Sequence, residues 1–239
     1  SGRLSSSGKL NMQQHPRDNP TVKGCIKAPP GHKIVAMDLT TAEVYVAAVL
    51  AKDEALMDVF RSGGNFHSTI AHKVFRLPCK VEQVAELYSD RRQAAKAVTF
   101  GIMYGAGPAK ISEQVTKDSG KFFSKHEAAE VINDYFAAFH KLKSWIEKNQ
   151  KFILTNGFTY SHFGRKRRLP NVKSTDQGIR SHSVRSGLNF LVQSAASDIN
   201  LLGAIDMGEF IKSQMMKSKI FALVHDSILA EVPEDEVDF

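Results

Sequence analysis

Arg92, Lys96, Phe100 and Tyr104 recur at every fourth position of the stretch 92–105. On an α-helix a step of four residues turns a side chain by only about 40°, so these four form a slowly drifting stripe. Two cations stand at one end of the stripe and two aromatic rings at the other. A nucleoside triphosphate has matching anatomy, with a polyanion at one end and a flat base at the other. An amphipathic helix with core-facing rings and solvated cations shows the same spacing. A second set is acidic: Asp38 closes the apolar run 33–38, and Asp226 lies between the apolar runs 220–224 and 228–232. Either aspartate alone fits a turn or a cap. Together at the edge of one sheet they would hold two divalent cations, activate a hydroxyl nucleophile and stabilise the leaving oxygen of a phosphoryl transfer.

The elements that must position these groups are legible in outline. Residues 33–38 read as a buried strand ending in a carboxylate. Thr40 and Thr41 can cap a helix predicted over 42–60 from its apolar spacing. Residues 65–75 and 81–103 read as further helices, the second interrupted before Arg92. A long helical stretch covers 125–154, and 157–163 alternates like a strand. Gly164–Arg168 is a compact basic run, read equally as a solvated loop or as a phosphate contact. Residues 183–211 read as one long helix, and 220–232 as a hairpin with His225 and Asp226 at its tip. Residues 1–31, rich in Ser, Gly, Asn, Gln and Pro, read as irregular structure.

Composition narrows the class. The chain has 239 residues, 42% of them hydrophobic, enough for one large or two modest globular cores. Its formal net charge of +7 favours a polyanionic partner, most commonly nucleic acid. No apolar run reaches membrane-spanning length, so no membrane partner is expected. Cys25 and Cys79 have no Cys or His partners at zinc spacing, which fits a reduced, cytoplasmic protein without a structural metal. The first residue is not Met and the chain stops just after a strand-like run, as a piece of a longer polypeptide would.

Three motifs in order carry a resemblance. Asp38-Leu-Thr-Thr-Ala-Glu43, the stripe from Arg92 to Tyr104, and Val224-His225-Asp226 resemble the three polymerase motifs of the family A DNA polymerases, over nearly the whole chain. The resemblance implies an α+β fold: a right-hand palm on an antiparallel sheet, at 1–51 and 173–239, with a helical fingers subdomain at 52–172. It implies DNA-directed DNA polymerase activity with two Mg²⁺ ions held by Asp38 and Asp226. Arg92, Lys96 and His67 would hold the incoming triphosphate, with Lys96 also the proton donor to pyrophosphate. Phe100 would pack on sugar and base, Tyr104 would sit by the template base, and Glu43 would exclude a ribose 2′-hydroxyl. Primer-template DNA would meet Arg3, Asn11, Gln13 and His225, and its minor groove would meet Arg185, Asn189 and Gln193, which share i, i+4, i+8 spacing. Minor-groove acceptors are nearly common to all base pairs, so such residues test pair geometry without demanding a sequence. Here Arg3 and Asn11 are separated by one residue more than in the family.

Ser227 stands where many members have Glu, and Tyr45 where the bacterial enzymes usually show Arg. Both suggest a viral, phage-type or organellar branch. The alternatives are a single-subunit RNA polymerase relative, which shares His-Asp-Ser, and a non-catalytic nucleic-acid-binding polymerase fragment. Glu43 and the Phe100-Gly101 pair argue against the first, and retention of both aspartates against the second. The thumb would precede residue 1, and a processivity factor or a linked exonuclease or helicase domain would lie outside this chain.

Overall fold

The computed structural model of the chain describes residues 2–6, 21, 24–39 and 41–238. Ser1, Thr40, Asn11 and Gln13 lie outside the described residues. The fold is α+β, and the chain divides into two compact units, Ser1–Thr41 with Gln193–Phe239, and Ala42–Val192.

The first unit is built on a three-stranded antiparallel sheet of β1 (His32–Asp38), β4 (Lys219–Val224) and β5 (Ser227–Pro233), in the order β1-β5-β4. Only β5 has neighbours on both sides, and it alternates as a half-covered strand should, with Ile228, Ala230 and Val232 buried. β1 is an edge strand whose residues are exposed or half-exposed, so the buried strand expected at 33–38 is corrected to an exposed edge. The two-residue turn between β4 and β5 puts His225 at φ 54°, as primed hairpin turns demand of a loop residue. The long helix at the end of the chain runs from Gln177 to Ser213, six residues earlier than its sequence pattern suggests, and its residues from 193 onward belong to this unit.

The second unit is helical: α1 (Ala42–Ala51), α2 (Glu54–Arg61), α3 (Phe66–Phe75), α4 (Val84–Leu87), α5 (Ser89–Met103), α6 (Pro108–Ser119), α7 (Lys125–Ala138) and α8 (His140–Asn156), then the hairpin β2 (Phe158–Tyr160) and β3 (Lys166–Arg168), and the start of α9 (Gln177–Ser213). The single helix expected over 42–60 is two. Lys52 takes φ 52°, and Asp53 caps α2 by accepting from Leu56 N at 3.2 Å. The second carboxylate oxygen of Asp53 accepts from Leu142 N in the first turn of α8 at 2.9 Å. One buried aspartate thus satisfies orphan donors of two helices, which accounts for an acid only 1% exposed. The stretch expected as one helix over 125–154 likewise breaks at Phe139, whose ring is fully buried. α6 had no sequence assignment, although Gly107-Pro108 at its start and Gly120 at φ 70° after its end are standard boundary signals.

Candidate active site

In the sheet unit, the β1–β5 register pairs Asp38 with Ser227. The Ser227 hydroxyl donates to Asp38 Oδ1 at 2.7 Å. Asp226 is the residue before Ser227, so the antiparallel pairing sets both aspartates at one end of the sheet. Arg3 Nη2 lies 3.8 Å from Asp226 Oδ1, with both side chains about one-third exposed. His225, beside Asp226, is exposed. Among the described residues no group of three or more His, Cys, Asp or Glu converges as a metal site would. Gln193 is half-buried on α9 at the first position of this unit.

In the helical unit, the stripe lies on α5 for Arg92, Lys96 and Phe100, while Tyr104 is the residue after the last turn. Its N–H still returns to the carbonyl of Gly101 at 3.1 Å, so the ring stays close to the helix end. Lys96 is exposed and Phe100 half-buried. Arg92 is oriented by two neutral acceptors: Nε donates to Ser68 Oγ and Nη2 to Asn65 Oδ1, each at 3.2 Å. Asn65 is itself fixed as the N-cap of α3, accepting from Ser68 N at 3.1 Å. A neutral clamp of this kind aims the guanidinium without neutralising it.

His67 stands beside the cationic end of the stripe as an uncharged ring. Its ring lies 5.6 Å from that of Phe100, and Nδ1 is buried with no hydrogen-bond partner among the described residues. Burial, then the charges of Lys96 and Arg92, push its pKa down from 6.5 to about 4, so the ring is neutral near pH 7. A run of ring contacts, Tyr45–Phe60–Phe66–His67 at 5.0, 4.6 and 5.2 Å, joins it to α1. Also on α1, Glu43 Oε2 accepts from the Tyr104 hydroxyl at 2.7 Å. α3 is thus tied to α5 through Arg92 and to α1 through Phe60 of α2, and α1 is tied to the residue after α5 through Glu43 and Tyr104; these ties bring Glu43, His67, Arg92, Phe100 and Tyr104 together.

Arg185 and Asn189 lie on α9. Gly105, at φ 67°, abuts the stem of Arg185 so closely that a Cβ there would lie 2.6 Å from its Cγ and Cδ. Asn189 Oδ1 is buried without a hydrogen-bond partner among the described residues. The basic run 164–168 is part turn and part strand: Gly164 and Arg165 lie in the hairpin turn and Lys166–Arg168 form β3, with Arg167 bonded to Ser186 Oγ at 2.8 Å.

Sequence reasoning missed Asn65 and Ser68. The pair reads from sequence as a helix cap, but nothing local ties it to an arginine 24 and 27 residues away. It also missed the Gly105–Arg185 contact, for which a lone glycine beyond a helix end was the only signal.

The family model for DNA polymerase family A matches residues 1–239. The DNA polymerase of Escherichia phage T5 is 50% identical over 257 aligned residues, covering 100% of this chain and 30% of that protein. DNA polymerase I of Caldicellulosiruptor bescii is 32% identical, covering 99% of this chain and 27% of its own length. Among solved structures, the POL domain of Pol1 from M. smegmatis, in complex with DNA primer-template and dNTP, superposes with a TM-score of 0.83 at 27% identity, over 98% of this chain and 40% of that one. The chain thus spans 30% or less of the length of these two curated relatives.

Proposed function

Since the chain belongs to DNA polymerase family A, we propose that it carries the catalytic groups of a DNA-directed DNA polymerase, which transfers deoxynucleotides to a primer 3′-hydroxyl under the direction of a template. The observation that carries this reading is the β1–β5 register, which brings Asp38 and Asp226 to one end of the sheet from positions 188 residues apart in sequence. Magnesium usually binds through one or two carboxylates, keeping several waters and taking its other ligands from substrate phosphates. Two aspartates with no third His, Cys, Asp or Glu converging on them among the described residues fit that habit, so Asp38 and Asp226 are assigned as the ligands of two Mg²⁺ ions. Bound there, the ions would activate the primer hydroxyl and offset charge on the leaving pyrophosphate.

This chain's own residues do the rest. Arg92 and Lys96 bind the triphosphate as cations, and Lys96 supplies the proton taken up by pyrophosphate. His67 joins them as a neutral hydrogen-bonding group. Phe100 packs on sugar and base, Glu43 excludes the ribose 2′-hydroxyl, and Tyr104 stands by the template base. Arg3 and His225, with Asn11 and Gln13, meet primer and template, while Arg185, Asn189 and Gln193 meet the minor groove. We assign the palm to 1–51 and 173–239 and the fingers to 52–172; the compact units divide the chain at 41/42 and 192/193. Phage and bacterial relatives support a cytoplasmic enzyme, in the host cell if viral.

The test is primer extension with Mg²⁺ and dNTPs by the parent-length protein beside its Asp226→Ala variant. Extension by the first and about a hundredfold to thousandfold loss in the second is expected, as for a group that acts in the transition state. Equal extension by both would refute the assignment of Asp226.

A further inference from the structure

Residues 148–175 contain seven of the chain's 32 Lys and Arg and none of its 25 Asp and Glu. The rest of the chain is therefore charge-balanced, and the whole net charge of +7 resides in this segment. It comprises the end of α8, the β2–β3 hairpin and the short helical turn 170–173. Pairing gives the hairpin two faces: Thr159 stands opposite Arg167, Phe158 opposite Arg168, and Tyr160 opposite Lys166. The first pair points inward, where Thr159 is 2% exposed and Arg167 is tied to Ser186 and lies over the Phe190 ring at 5.4 Å. The other two pairs share the opposite face, since side chains two apart on a strand lie on one side.

That outer face combines aromatic rings with cations. Phe152, Phe158 and Tyr160 form a run of edge-on contacts at 5.8 and 5.5 Å, and Phe152 and Tyr160 are 42% and 47% exposed. Lys166 Nζ is held 4.0 Å from the Phe158 ring centre and 5.6 Å from that of Tyr160. A lysine pinned in this way is pre-positioned for an anion that runs alongside the rings. Exposed rings interleaved with cations are what a single nucleic-acid strand uses, its bases stacking and its phosphates paired.

We propose that the outer face of the β2–β3 hairpin binds single-stranded DNA, specifically the unpaired template strand. Its mounting supports the choice of strand. Arg167 fastens the hairpin to Ser186 and Phe190 of α9, within the helical turns that begin at Arg185, and the Arg185 stem lies against Gly105 beside Tyr104. The assignment of strand rests on the polymerase reading, in which Tyr104 stands by the template base.

Fluorescence anisotropy would compare a blunt primer-template with one carrying a 5′ template overhang of about eight nucleotides, within the usual site size. The readout is the ratio of the two affinities. Wild type should prefer the overhang, and Tyr160→Ala should lower that ratio about fivefold or more, the cost of one lost stacking contact. Lys166→Gln with Arg168→Gln, which leaves the rings in place, should flatten the overhang's contribution to the salt dependence by about 1.4 in log–log slope. A ratio untouched in both variants overturns the proposal, and so does a loss that is equal on the two substrates. An unchanged ratio with weakened binding of free oligo-dT would mean that another strand is bound, overturning the template assignment. The polymerase reading fails separately, if wild type does not extend the same primer.

Discussion

Replacing His67 by Gln should change how the protein's stability depends on pH. In the folded chain burial, then Lys96 and Arg92, hold the His67 pKa near 4, against about 6.5 when unfolded. Between those values the unfolded chain binds a proton that the folded chain refuses. The stability associated with neutral His67 is therefore complete above pH 6.5, is lost as pH falls toward 4, and changes no further below that. At 1.36 kcal/mol per pH unit this span is worth ~3 kcal/mol. His67 is only part-buried, and solvent screening reduces the expectation to about 1.5 kcal/mol. Urea denaturation at pH 7.5 and 4.5 would measure it: wild type should lose about 1.5 kcal/mol more than His67→Gln between the two conditions. Lys96→Met, which removes one of the two repelling charges, should show an intermediate loss. A difference between wild type and His67→Gln that is the same at both pH values would refute the reasoning, because the shift would then not exist in the folded chain.

Gly105→Ala forces a left-handed backbone on a residue with a Cβ and drives that Cβ into the Arg185 stem, which should cost about 2–4 kcal/mol in denaturant melts. Adding Arg185→Ala should return at least about 1 kcal/mol, and strictly additive effects would contradict the contact. Glu43→Ala removes both the proposed ribose barrier and the acceptor of the Tyr104 hydroxyl. Discrimination between dNTP and rNTP, measured as a ratio of kcat/KM values, should fall by about tenfold or more, and an unchanged ratio would show that Glu43 is not the gate.

The elements that sequence located well are those set by short-range pattern. Helix α5 follows from its four-residue spacing and the turn at Asp226 from two apolar runs around a polar kink. Where it failed, a distant partner decided. The break at Asp53 depends on Leu142 as well as Leu56, and the break at Phe139 accompanies full burial of that ring. Neither site has a glycine or proline to announce it. The stretch Arg165–Arg168 shows no alternation in sequence because all four residues are cationic, and only pairing with β2 separates Arg167 from its neighbours.

Sequence by itself determined which chemistry the chain can host: two aspartates at strand ends, a helical stripe of cations and rings, and a polar series at i, i+4, i+8. Those are properties of one strand or one helix, whose geometry repeats every two or about 3.6 residues. Tertiary structure alone decided how the groups are held. It set Ser227 on Asp38, Asn65 and Ser68 on Arg92, Tyr104 on Glu43 and the Arg185 stem on Gly105. Each contact joins residues at least 24 positions apart, so no single strand or helix can form it, and only the folded backbone brings the partners within reach.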